Sequence, residues 1–105
     1  MIKENFVFVR VTNGIERKYF YKLIENVVNK RVVYGIEIER IDFKGTEEID
    51  SFKDSVELIS PDEDKVRALL IMLYDNQVSP LHLIDIAGEF IDECVHDFAE
   101  VRIWL

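Results

Sequence analysis

Two serine–proline pairs divide this chain into a part that favours strands and a part that favours helices. Ser60-Pro61 and Ser79-Pro80 each place a capping hydroxyl directly before a proline, and proline fits the first position of a helix but not its interior. Glu63 follows the first serine by three residues, which completes a capping box. The sequence predicts one helix over residues 61–75 and a second over residues 80–98.

The residues before the first serine–proline pair show the alternation of apolar and polar side chains that is typical of strands. Residues 5–12 are rich in Phe and Val, and Asn13-Gly14 behind them favours a tight hairpin turn. The clearest strand is 31–41, in which Gly35 indicates a bulge or a close backbone approach. Its apolar face consists of Val32, Tyr34, Ile36 and Ile38.

Two segments of the first half lack the clear alternation of a strand. Residues 15–28 fit both a strand and a helical stripe, and we interpret them as a strand because they follow a hairpin signal. Residues 42–55 are acidic and weakly patterned, which indicates a solvated loop, and residues 56–59 then predict a short fourth strand. Asn76 is the expected left-handed stop of the first helix.

These elements predict an α+β fold in a single domain over residues 1–105, strand-rich over 1–60 and helical over 61–105. The fold is a three- or four-stranded antiparallel meander followed by an antiparallel two-helix hairpin packed on one face. Since 49% of the residues are hydrophobic, the chain is able to build a core without disulfides or a structural metal.

Net charge and cysteine content limit the partners and the cellular compartment that we expect for this protein. The net charge is −8, which disfavours nucleic acid and anionic lipid as partners. Cys94 is the single cysteine, so no internal disulfide forms, as expected in a reducing compartment. No apolar run is long enough for a signal peptide or a membrane span. We therefore expect a cytoplasmic protein that does not enter a membrane.

An apolar run over residues 68–74 makes every side of the first helix apolar at that point. A sheet and one partner helix leave part of such a helix uncovered, so either the domain's own chain or a second subunit covers the rest. We expect a small non-enzymatic interaction or regulatory module that forms a homodimer through its helices; an unidentified protein is the alternative partner. The interface candidates are Leu70, Ile71, Met72, Tyr74, Val101, Trp104 and Leu105.

The second helix carries histidines and carboxylates at spacings of three and four, which place them on one face. His82, Glu89 and His96 are weak candidates for a metal site, since helical bundles build metal centres from such residues. A solvated polar face explains the pattern better, so no cofactor is predicted. Phosphate-binding loops and nucleophile motifs are absent from the sequence, and we expect no enzymatic activity.

Basic residues among tyrosines in the predicted strands suggest a third hypothesis, an RNA-binding sheet. In residues 1–40, eight Lys and Arg stand against five Asp and Glu, and no motif of an RNA-binding module is present. Nucleic acid is therefore not the expected partner. The residues concerned are Arg10, Arg17, Lys18, Lys22, Lys30, Arg31 and Arg40 with Tyr19, Tyr21 and Tyr34.

Three segments resemble a known family: residues 34–40 (YGIEIER), residues 59–61 (ISP) and residues 78–85 (VSPLHLID). They are similar to short uncharacterised proteins of Gram-positive anaerobic bacteria, a family defined by a domain of unknown function. The resemblance implies a small free-standing bacterial protein. It implies no activity and assigns no site residue.

Overall fold

The computed structural model describes residues 1–88, which form a four-stranded antiparallel sheet followed by two helices. The strands are β1 (Ile2–Thr12), β2 (Ile15–Val28), β3 (Arg31–Lys44) and β4 (Glu47–Ser60), and the first helix is α1 (Glu63–Asp75). A 3-10 turn over Pro80–His82 leads into α2, which is described over residues 83–88. The strand order is β1-β2-β3-β4. The α+β prediction and the antiparallel meander are confirmed, and the hairpin of α1 with the whole of α2 stays a prediction.

Each pair of neighbouring strands is joined by a short turn that uses positive φ angles. Asn13 and Gly14 have φ of 53° and 76°, and Asn29 and Lys30 have φ of 51° and 65°. Two positive φ angles in succession give the turn whose twist matches that of the strands it connects. The hairpin predicted at Asn13-Gly14 is therefore confirmed, and residues 15–28 are a strand.

The fourth strand is much longer than the sequence predicts. The expected loop over residues 42–55 is wrong, because β3 continues to Lys44 and β4 begins at Glu47. Most side chains in the first half of β4 are exposed, so this half has no apolar face to reveal it. It is a strand because its backbone pairs with β3, for example at Arg40 with Phe52.

Gly35 lies where β3 and β4 change register, between Tyr34 and Ile36. A Cβ atom at this position would fall deep inside van der Waals contact with the carbonyl oxygens of Val56 and Glu57. Only glycine allows the two backbones to approach this closely. The prediction of a bulge or a close backbone approach at Gly35 is confirmed.

The start of α1 lies two residues later than predicted, whereas its end at Asp75 is as predicted. Its N-cap is Asp62, whose Oδ1 accepts hydrogen bonds from the Asp64 and Lys65 backbone N–H groups at 3.1 and 3.3 Å. Ser60 instead ends β4, and its hydroxyl accepts from the Asp62 N–H at 3.0 Å. The predicted cap at Ser60 is therefore wrong, since strand pairing holds that residue.

The connection from α1 to α2 contains one further correction. Gln77, with φ of 52°, takes the left-handed conformation expected at Asn76, whose φ is −91°. Ser79 caps the following turn as predicted, because its side chain accepts from the Leu81 N–H at 3.3 Å. Proline occupies the next position, Pro80, as expected.

The core lies between α1 and one face of the sheet, called the helix face below. The Tyr21 hydroxyl, within this core, donates a 2.8 Å hydrogen bond to the carbonyl of Val78 and so ties the sheet to the α1–α2 connection. The start of α2 adds Leu83 and Ala87, both fully buried. The other members of the core are Tyr19, Leu23, Ile36, Ile38, Ile59, Val66, Leu69, Leu70, Leu73 and Val78.

α1 covers only part of the helix face. Its 13 residues span about 20 Å, whereas the 14 residues of β3 span about 46 Å. Beyond the end of α1 the helix face becomes charged. Asp42, with 5% of its surface exposed, lies 3.6 Å from Arg17 and 3.3 Å from Arg40, and Arg40 also pairs with Asp50 at 3.3 Å.

Candidate interaction surface

The two edges of the sheet carry different side chains. Among residues 1–88, β1 pairs only with β2 and β4 pairs only with β3, so each outer strand presents unpaired backbone groups. On β1 the side chains of Val7, Val9 and Val11 are 44%, 50% and 67% exposed. The charged residues of β4 are Glu47, Glu48, Asp50, Lys53, Asp54 and Glu57.

The three valines of β1 continue into an apolar area on the face of the sheet opposite α1, called the open face below. Val7 pairs with Phe20 of β2. Val9 pairs with Lys18, which in turn pairs with Ile41 of β3. We define the valine patch as Val7, Val9, Val11, Phe20, Ile41 and Phe43, all of which share the open face by register.

Charges around the valine patch are largely compensated within the sheet. Lys22 Nζ lies 3.1 Å from a carboxylate oxygen of both Glu37 and Glu39. Burial lowers the pKa of Lys22, but the hydrogen bonds to Glu39 and Glu37 outweigh it, and the net shift of the pKa is upward. Lys18 pairs with Glu16 at 3.5 Å and lies 5.2 Å from the Phe43 ring centre. Both lysines beside the valine patch are therefore paired with carboxylates of the sheet.

On the helix face, β1 is attached firmly to the rest of the domain. Glu4 Oε1 accepts a 3.0 Å hydrogen bond from Arg67 Nε of α1. The Phe6 ring packs against Tyr74 with centres 5.4 Å apart, and Phe8 stacks on Tyr19 at 4.5 Å. These contacts fix β1 in place while its outer edge stays uncovered by residues 1–88. A fixed edge loses little conformational entropy when it binds a partner.

The interface residues predicted on α1 fall into two groups. Leu70 is fully buried against the sheet, so it is a core residue of this domain, and Tyr74 is half-buried among aromatic rings. Ile71 and Met72 are 40% and 37% exposed. Ile71 lies one turn from both Arg67 and Tyr74, which contact β1, so it faces the β1 side of α1.

Val101, Trp104 and Leu105 lie outside the described residues, as do the metal candidates Glu89 and His96. His82, the remaining metal candidate, is exposed in the 3-10 turn. Within residues 1–88, no three His, Cys, Asp or Glu side chains come close enough together to hold a metal ion. The metal hypothesis therefore stays a prediction.

The residues of the RNA hypothesis do not form one surface. Tyr19 and Tyr21 lie in the core under α1, so their rings are not available to stack on bases. Burial raises the pKa of Tyr21 strongly. Lys18 and Lys22 lie on the opposite, open face. The structure thus separates the tyrosines from the lysines that the sequence places close together.

Sequence reasoning missed the valine patch, although a signal was present. In residues 6–9, phenylalanine and valine alternate, so both faces of the strand are apolar. Such a strand is typically buried on both faces. Here α1 covers the phenylalanines, and nothing in residues 1–88 covers the valines.

Comparison with protein families gives one match. The family model described as "Family of unknown function (DUF6514)" matches residues 3–93. This chain belongs to that family. No curated protein and no solved structure matches the DUF6514 chain. In the part of this DUF6514 protein that the structure describes, every helix is too short or too polar to cross a membrane.

Proposed function

We propose that this DUF6514 protein is a non-enzymatic interaction module of the cytoplasm that forms a homodimer through the β1 edge. The observation that carries the proposal is the valine patch, which lies directly beside backbone groups that no strand within residues 1–88 pairs with. Burying an apolar side chain contributes about 25 cal/mol per Å². An edge strand of this kind also offers backbone hydrogen bonds to a second strand.

The difference between the two edges supports β1 as the contact. Charged side chains along an edge discourage a further strand from pairing with it, and β4 carries such residues along its length. β1 instead exposes Val7, Val9 and Val11 on the open face, and its charged residues lie on either side of residues 5–9, at Lys3, Glu4 and Arg10. The exposed Ile71 of α1 lies on the same side of the domain. The dimer therefore joins the apolar edge and not the charged one.

The oligomeric state of matched variants tests the proposal. Val7 of β1 and Ile49 of β4 are 44% and 45% exposed, so they offer the same substitution on opposite edges. We expect wild type to be a dimer in native mass spectrometry and light scattering. Val7→Lys should weaken dimerisation roughly 100-fold, because like charges brought together cost several kcal/mol. Ile49→Lys should leave the dimer unchanged.

Each result has a clear meaning, provided that circular dichroism shows both variants folded. A wild-type monomer refutes the homodimer. A dimer that withstands both substitutions refutes the β1 contact and favours the helices, with Ile71→Lys as the next variant. Metal retained in the native spectrum and lost in His82→Ala would favour the metal-binding hypothesis instead.

A further inference from the structure

The backbone geometry of β1 limits how two copies can pair through this edge. An antiparallel pairing of identical strands has a two-fold axis perpendicular to the sheet. Residues that face each other then lie on the same face of the joined sheet. Both copies of α1 therefore lie on one face of an eight-stranded sheet, and the two valine patches meet on the other. The remaining variable is the register, meaning the residue through which the axis passes.

We infer that the axis passes midway between the Val7 residues of the two copies, so that Val7 faces Val7. Residues 4–10 of one β1 strand then pair with residues 4–10 of the other. This inference rests on the proposed function. In that register Glu4 faces Arg10 of the second copy, and the symmetry repeats this pair. Asn5 faces Val9, and Phe6 faces Phe8. Opposite charges placed directly across two strands stabilise the pairing.

The state of the two charged residues supports this register. Within residues 1–88, the guanidinium of Arg10 donates to Gln77 and lies 5.8 Å from the Phe8 ring centre, without a carboxylate partner. Arg10 is exposed at the edge. Glu4 is half-buried and held by Arg67, which fixes its position on β1. Each copy thus presents a positioned carboxylate at one end of the segment and an arginine without a carboxylate partner at the other.

In the neighbouring registers, Glu4 no longer faces Arg10 of the second copy. If the axis passes through Phe8, Glu4 faces Thr12 and Arg10 faces Phe6, so both charged residues lack a charged partner. If it passes through Phe6, Glu4 faces Phe8 and Arg10 faces Ile2. The register through Val7 is the one of these three that pairs both charges and places a valine at its centre.

Disulfide trapping tests the register directly. The native Cys94 is first replaced in a Cys94→Ala background, so that the introduced cysteine is the only thiol. Directly opposite residues in an antiparallel pair have Cα atoms about 4.5–5.5 Å apart, which suits a disulfide. Val7→Cys should therefore crosslink in nearly all molecules under a glutathione redox buffer. Val11→Cys is the control, because its two copies would lie about 27 Å apart at 3.4 Å per residue.

The outcomes distinguish this inference from the proposed function. Crosslinking of Val7→Cys without crosslinking of Val11→Cys supports the register. A wild-type dimer in which Val7→Cys fails to crosslink overturns the register and leaves the homodimer standing. A wild-type monomer overturns both. Arg10→Glu gives a second measurement: it should weaken dimerisation at least tenfold, since two pairs of like charges then face each other. The control Arg31→Glu, at the first residue of β3, should not weaken it.

Discussion

Replacing Gly35 by alanine should destabilise the protein strongly, because the added Cβ would meet backbone and not a flexible side chain. The Cβ would overlap the carbonyl oxygens of Val56 and Glu57, whereas carbon and oxygen atoms in close contact normally stay about 3.3 Å apart. Relief requires β3 and β4 to separate near Ile36 and Ile59, which are core residues. Overpacking lowers the free energy of unfolding by about 1–3 kcal/mol. Because the new Cβ would meet two backbone carbonyls that cannot move independently, we expect a loss of about 3 kcal/mol.

Gly88→Ala is the matched control, since it makes the same chemical change where no atom of the described residues 1–88 lies within 4 Å of the new Cβ. Gly88 is helical, so alanine there should stabilise by up to about 1 kcal/mol. Thermal unfolding followed by circular dichroism measures both effects. For about 3 kcal/mol, Gly35→Ala should lower Tm by about 12–24 °C. If Gly35→Ala and Gly88→Ala change Tm by the same small amount, the account of the β3–β4 bulge is refuted.

Two further predictions concern polar groups that connect the sheet. Tyr21→Phe leaves the buried Val78 carbonyl without its donor and should lower the free energy of unfolding by about 1–3 kcal/mol in urea titrations; Tyr34→Phe is the control, and an equal loss there would contradict the role of the hydrogen bond. Lys22→Met leaves Glu37 and Glu39 without their shared cation and should destabilise at pH 7. Since the pKa of Lys22 is raised in the folded state, its contribution is complete below its unfolded pKa and is lost as pH rises through the folded pKa. The difference between Lys22→Met and wild type should therefore shrink in alkaline solution, and a constant difference would contradict this assignment.

The strands predicted from the sequence are those in which one face is buried. In β3, Ile36 and Ile38 enter the core, and their alternation with polar residues is visible in the sequence. β2 was ambiguous because its open face also carries apolar residues, Phe20 and Ile24, which fit a helical stripe as well. The hairpin turn before it settled the choice correctly. Burial on one face thus produces an alternation of apolar and polar residues that identifies a strand from sequence. The conformation of the other segments depends on tertiary contacts.

β4 shows the limit of this reasoning. Its residues 47–53 are exposed, and their extended conformation depends on backbone pairing with the end of β3 across a short turn. Such pairing requires no periodicity of the side chains. The same limit applies to the valine patch. The sequence shows that both faces of β1 are apolar. Its position at an edge, however, depends on the order of all four strands. No local pattern contains that order.

The difference between the two edges of the sheet also bears on how many copies the proposed assembly contains. A sheet with two receptive edges can add copies at both sides and grow into a fibre. In the proposed homodimer, β1 of each copy is occupied by β1 of the other copy. The outer boundary of the pair is then β4 on both sides, with its acidic residues Glu47, Glu48 and Asp50. Repulsion between such edges would limit the proposed assembly to two copies and so prevent polymerisation through β4.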